Sequence, residues 1–204
     1  MASVTGLTFL VLCLPFLAAL IAPAVVNRLG HNAAWFLALF PLLAFAYFAS
    51  FLPQIAGGQS ASDGLDWVPS LSLRFSWLLD GLSLTFALLI TGIGTLIVLY
   101  AGGYLKGHPD QGRFFSFIFL FMGSMLGLVV SDSFLTLFVF WELTSITSFL
   151  LIGFDHRREA ARRAALQALV VTGGGGLLLL AGLLLIWQIT GVTDLSHLLA
   201  SGNV

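Results

Sequence analysis

Six stretches of this sequence, 5–26, 33–52, 78–101, 114–130, 134–154 and 164–190, run almost without charge. Each is near the ~20 residues that carry a helix across ~30 Å of hydrocarbon. In lipid the backbone groups must be satisfied within the chain, which leaves helices or a closed barrel. A barrel would show short alternating strands rather than unbroken apolar runs. The expected fold is therefore all-α and integral to the membrane, with about six transmembrane helices in one membrane region. Only 8% of the 204 residues are charged, against roughly 25% in soluble domains. The six runs leave no room for a separate soluble catalytic domain.

The connections carry the orientation. Segments 27–32, 102–113 and 155–163 lie on one side of such a bundle and hold seven of the eight Lys and Arg residues; Arg74 alone lies opposite. The excess of cationic residues on cytoplasmic loops then puts these three segments in the cytoplasm and the N-terminus outside a cell membrane. The first run meets its first cation only at Arg28, the reverse of a secretory signal, so it is read as a retained span. The longest connection, 53–77, contains Gly57-Gly58, Asp63-Gly64 and Pro69. It reads as an external loop with turns or a short hairpin, with Trp67 and Trp77 at the interface.

Four polar residues stand out. Glu142 is the ninth residue of the fifth run, with no other charge within nine residues on either side. An ionised residue at a helix centre costs ~2.5–3.5 kcal/mol on insertion scales and normally faces a bundle interior or a wet cavity. Low dielectric drives a carboxyl group to its neutral form, and a nearby cation or water chain restores the charge. A group held between these influences binds and releases protons. The alternative is a neutral acid hydrogen-bonded between helices. Ser145, three residues on, shares that helix face and is a candidate partner in the pathway, or a packing residue. Asp132, between the fourth and fifth runs, falls at the outer rim, where water or the N-terminus of the fifth helix explains it. Asp80 opens the third helix and reads as a cap, with a transport role as the alternative. The glycines 173–176 in the sixth run suit either close helix packing or local loosening of that helix.

Several functions have no support. There is one cysteine, no basic run fit for nucleic acid and no nucleotide-binding or hydrolase motif. His31, His108, His156 and His197 are not spaced as metal ligands. No cofactor, metal site or enzyme active site is expected. The basic segment 155–163 reads as a topology determinant, with contact to anionic lipid as a second role.

The strings FWELTSITSFLLIGF at 140–154, LDGLSLTFALLITGIGTLIVLYAGGYL at 79–105 and LFMGSMLGLVVSD at 120–132 together resemble the large A subunit of Mrp-type multisubunit sodium/proton antiporters. Those proteins are relatives of the antiporter-like subunits of respiratory complex I. The Trp-Glu-Leu-Thr-Ser form at 141–145 is more similar to that large protein than to its paralogue D. The resemblance implies the N-terminal part of a larger helical bundle with two inverted five-helix repeats, the first beginning at 114–130. It implies that Glu142 takes the place of the family's fifth-helix glutamate, which pairs with a lysine on the seventh helix to gate protons. It also implies a secondary transporter of protons and sodium ions rather than an enzyme. The implied partners are the lipid bilayer, the other Mrp antiporter subunits (B to G) and the remainder of the large one. This sequence contains no such lysine, and its ending, SGNV, resembles the middle of an external loop. The expectation is a piece of a longer polypeptide, or a separately encoded fragment completed by another chain. The alternatives are a subunit of a proton-pumping NADH dehydrogenase or membrane hydrogenase, and a non-transporting scaffold.

Overall fold

The computed structural model describes residues 2–68 and 73–201. Helix α1 covers Ala2–Leu29 and passes through a tight 3-10 turn, Gly30–Asn32, into α2 (Ala33–Ala49). A one-turn helix, α3 (Leu52–Ala56), leads to the antiparallel strands β1 (Ala61–Val68) and β2 (Leu73–Leu79). Then follow α4 (Gly81–Tyr104), α5 (Gln111–Val130), α6 (Phe134–Ile152), α7 (Glu159–Thr190) and a short α8 (Leu195–Ser201). Six of these helices are long and apolar enough to cross a membrane.

Helix limits follow hydrogen bonding rather than hydropathy. Helix α7 starts at Glu159, ahead of the apolar run at 164, so Arg162 and Arg163 lie in its first turns. Glu159 sits in that first turn, and Arg163 reaches back to it at 2.6 Å, an i,i+4 pair that favours the extension. Helix α4 begins later than the run at 78, because Leu78 and Leu79 pair with Ser62 and Ala61 in the hairpin. Helix α5 packs on α1, α4 and α6, and α2 packs on α1 and α4. Helix α7 lies at the edge with α6 as its main neighbour; Ala165 and Gly176 are its buried residues.

Two apolar layers form the core. One joins Ala18, Ala22, Leu37, Val98, Phe115 and Phe119, where alanines let α1, α2, α4 and α5 approach. Beside this layer α2 and α4 meet closely at Gly102, whose missing side chain makes room for Ala34. The other layer, toward the hairpin, contains Val11, Leu12, Phe48, Leu84, Leu126, Leu79 and Trp77. This corrects the expectation of an interfacial Trp77: it is 2% exposed. Side chains alternate along a strand, so Phe75, Trp77 and Leu79 share one face of β2, and that face closes the bundle like a plug. Phe75 meets Phe9 of α1 and Phe140 of α6 edge to face. The segment expected as external loop is thus largely ordered structure. Pro69 and the side chain of Trp67 lie outside the described residues.

Candidate functional site

Helix α6 places the glutamate. Its sequence FLTLFVFWELTSITSFLLI is bounded by Ser133, in extended conformation, and Gly153. Its hydroxyls turn back on their own helix. Thr144 donates to the Trp141 carbonyl at 2.7 Å, Thr147 to that of Leu143 at 2.8 Å, and Ser145 to that of Trp141 at 3.2 Å. Ser145 therefore bonds backbone instead of the expected Glu142 carboxyl, the common outcome for a helical serine with a free i−4 carbonyl oxygen lone pair. It is buried, 6% exposed.

Glu142 is half-buried, and its Oε1 is fully buried with no hydrogen-bond partner among the described residues. That oxygen presses against α7 at Gly176, where a Cβ would overlap it. A larger residue at this position would force the end of the Glu142 side chain to move. The other three glycines of the tetrad have open space around them, and α7 stays helical throughout. Because the α7 amides are engaged in helical bonds, the helix offers Oε1 a wall and no donor. A buried oxygen without a donor costs about 1–3 kcal/mol, and such groups in native proteins call for an explanation. The second contact of this seam is Gly153 with Ala165. Glu142 and Gly153, like Gly176 and Ala165, are about three helical turns apart, so the two contacts fix one antiparallel register.

The two aspartates each make hydrogen bonds to a nearby element. Asp80 caps α4 in a reciprocal box: Ser83 N–H donates to Asp80 Oδ1 at 2.8 Å, and Asp80 N–H donates to Ser83 Oγ at 2.7 Å. Asp132 is 5% exposed and does not cap α6, whose N-cap is Ser133. Its Oδ1 accepts from Ser196 N–H at 2.7 Å and its Oδ2 from Ser196 Oγ at 2.6 Å, tying the α5–α6 turn to the start of α8. Around it, Asp132 N–H donates to the Ser76 carbonyl and Phe134 N–H to that of Thr193. Ser76 Oγ donates to Asp194 Oδ1 at 2.7 Å. The result is a clasp joining β2, the α5–α6 turn and the 193–196 segment.

The site thus brings Glu142 together with Gly176 and leaves Ser145, Asp80 and Asp132 apart from it. Among the described residues, no three His, Cys, Asp or Glu side chains converge as metal ligands. What the arrangement offers chemically is one carboxyl group, walled on one side and half-open on the other. The close helix packing expected of glycines 173–176 falls on Gly176 alone of the four, while the Asp194–Ser196 clasp left no mark in the sequence. Glu142 and Gly176 lie equally far in sequence from Glu159, where α7 begins, and that symmetry is the signal that would have paired them.

Residues 67–115 match the family described as NADH-ubiquinone oxidoreductase (complex I), chain 5 N-terminus. Residues 131–203 match the family described as NADH:quinone oxidoreductase/Mrp antiporter, TM. The chain is 41% identical over 157 residues to the A1 subunit of a Na(+)/H(+) antiporter of Staphylococcus haemolyticus, covering 76% of this chain and 20% of that protein. It is 42% identical over 189 residues to the A/B subunit of a probable K(+)/H(+) antiporter of Rhizobium meliloti, covering 93% of this chain and 19% of that one. Among solved structures, the Mrp complex from Dietzia sp. DQ12-45-1b superposes with a TM-score of 0.79 at 32% identity, covering 92% of this chain and 20% of the matched one. The chain spans about a fifth of the length of the relatives it matches. With the relatives, the family pattern over 131–203 and the superposed backbone pointing the same way, the chain belongs to the NADH:quinone oxidoreductase/Mrp antiporter family of membrane subunits.

Proposed function

We propose that this chain is a proton-handling section of a multisubunit sodium/proton antiporter, acting with the other Mrp antiporter subunits (B to G) and the remainder of the large one. It is a transporter component rather than an enzyme, and its basic loops face the cytoplasm. The observation that carries the reading is the Glu142 carboxyl, in the middle of an apolar helix with one oxygen buried against Gly176 and unpartnered. The names of the relatives support the class of transport.

The chemistry is a proton exchanged at one carboxyl. A cation brought to the half-open side of Glu142 stabilises the carboxylate and releases the proton. Gly176 prevents retreat of the group toward α7, so the open side is where the exchange takes place. Sodium is the proposed counter-ion, and the potassium named for the Rhizobium meliloti relative makes a cation series part of the test.

The test is Glu142→Gln in the assembled complex, which keeps shape and hydrogen-bonding capacity but cannot titrate. Exchange of sodium or potassium for protons in everted vesicles is expected to be lost while the subunits still co-purify. Unchanged exchange with normal assembly would reject the role and favour a scaffold. The match of residues 67–115 to a complex I family favours a second reading, membership of a proton-pumping NADH dehydrogenase or membrane hydrogenase. Redox subunits in the purified complex would establish that reading; other antiporter subunits in their place would exclude it.

A further inference from the structure

At the basic end of the bundle the α5–α6–α7 seam opens into a cleft of about 350 Å³. Its wall is apolar, made by Phe117, Phe149, Leu150 and Leu166, and its mouth carries Arg113, His156 and Arg162. A second, larger cleft of about 740 Å³ shares Arg113, Phe154 and His156 and adds Arg157 on the other side.

The cations at this mouth are under-neutralised. Arg158 lies 3.9 Å from Asp155, and Arg163 pairs with Glu159 at 2.6 Å, but neither Arg157 nor Arg162 has a carboxylate within ion-pair distance among the described residues. Arg162 spends its Nη1 on the His156 and Arg157 carbonyls, at 2.7 and 3.3 Å, which holds the guanidinium at the cleft without cancelling its charge. Arg113 is fixed as well. Its Nη2 donates to the Phe154 carbonyl at 2.9 Å, lies 3.3 Å from His156 Nδ1, and is 3.5 Å from Asp110; its guanidinium stacks 5.2 Å above the Phe154 ring. Its Nε is buried with no acceptor. A pre-positioned pair of arginines, of which Arg162 has no carboxylate partner among the described residues, therefore faces an apolar slot that runs into the membrane-spanning part of three helices.

We propose that this cleft holds an anionic phospholipid, with the phosphodiester at Arg113 and Arg162 and one acyl chain along Phe117, Phe149 and Leu150. A free phosphate would satisfy the arginines and leave the apolar wall uncovered. A zwitterionic lipid would fill the wall and bring its own cation to a mouth already positive. An anionic lipid satisfies both, and basic side chains at the membrane surface attract such lipids. The inference is independent of any role for Glu142. It gives the α6–α7 hairpin an anchor at the end opposite the Asp132 clasp.

The test uses the assembled complex in vesicles of equal parts phosphatidylcholine and phosphatidylglycerol, with a trace of either lipid carrying a diazirine on its acyl chain. After illumination, peptide mapping locates the adducts. Phosphatidylglycerol adducts are expected on residues 113–117 and 149–154, well above those from phosphatidylcholine. Arg162→Gln should lower them about fivefold, as one surface cation contributes, with adducts elsewhere unchanged. Leu150→Trp, which fills the slot and leaves both arginines in place, should also lower them. Equal labelling by the two lipids, no labelling of the cleft, or labelling indifferent to both substitutions would overturn the proposal. Loss of the phosphatidylglycerol preference on adding inorganic phosphate would also overturn it, by making the mouth a simple anion site.

Discussion

At the scale of single residues, the pairing of Glu142 with Gly176 is the most sensitive point of the chain. An alanine at 176 would put its Cβ into Oε1 and push the Glu142 carboxyl, the end of a flexible side chain, out of its place, at about 0.5–1.5 kcal/mol if the side chain leaves its rotamer. Gly176→Ala is therefore expected to lower the thermal stability of the assembled complex and reduce exchange. In a Glu142→Ala background the same substitution should cost almost nothing, because the overlapping atom is gone. A double-mutant cycle measures this directly; additivity of the two substitutions would mean that they do not touch. The glutamate itself was legible in the sequence, since a lone charge at the centre of an apolar run stands out without any structure. Its wall was not. Which of four consecutive glycines faces the carboxyl depends on the rotational setting of two packed helices, and the run of glycines carries no mark of it.

At the scale of elements, the helices and their order were readable because lipid leaves the backbone so few choices. The exceptions have physical causes. Trp77 sits among polar loop residues and looks interfacial, yet the strand alternation of Phe75, Trp77 and Leu79 buries it. Asp132 looks like a rim residue because its partner, Ser196, is 64 residues away. Each suggests a measurement. Asp132→Ala removes the acceptor of two hydrogen bonds to α8, at about 1 kcal/mol apiece and more for a charged group. Amide exchange in 193–201 should accelerate while α4 and α5 stay protected; unchanged exchange would show that the clasp is not what holds α8. Asp80→Ala should cost about 0.5–2 kcal/mol by loss of the α4 cap, and Asp80→Asn should restore most of it. If Asn rescues nothing, the charge rather than the cap is what matters at that position.

At the scale of the molecule, the chain has two unlike ends. One carries the hairpin and the Asp132 clasp, the other seven of the eight Lys and Arg residues. Cysteines placed at Gln59 and at Lys106, both exposed and outside the helices, should react with a membrane-impermeant thiol reagent from opposite sides of the vesicle. Reaction from the same side would overturn the bundle topology. Between those ends, helix α7 leaves most of its surface uncovered, and the open side of Glu142 lies along the same seam. The central claim is that this carboxyl gains and loses a proton as the counter-cation arrives and leaves. Infrared difference spectroscopy of the assembled complex reports it most directly. The account predicts a protonated-carboxyl carbonyl band that rises and falls with sodium and is missing in Glu142→Gln. A wild-type spectrum with no sodium-dependent carboxyl band, or one that persists unchanged in Glu142→Gln, would contradict it.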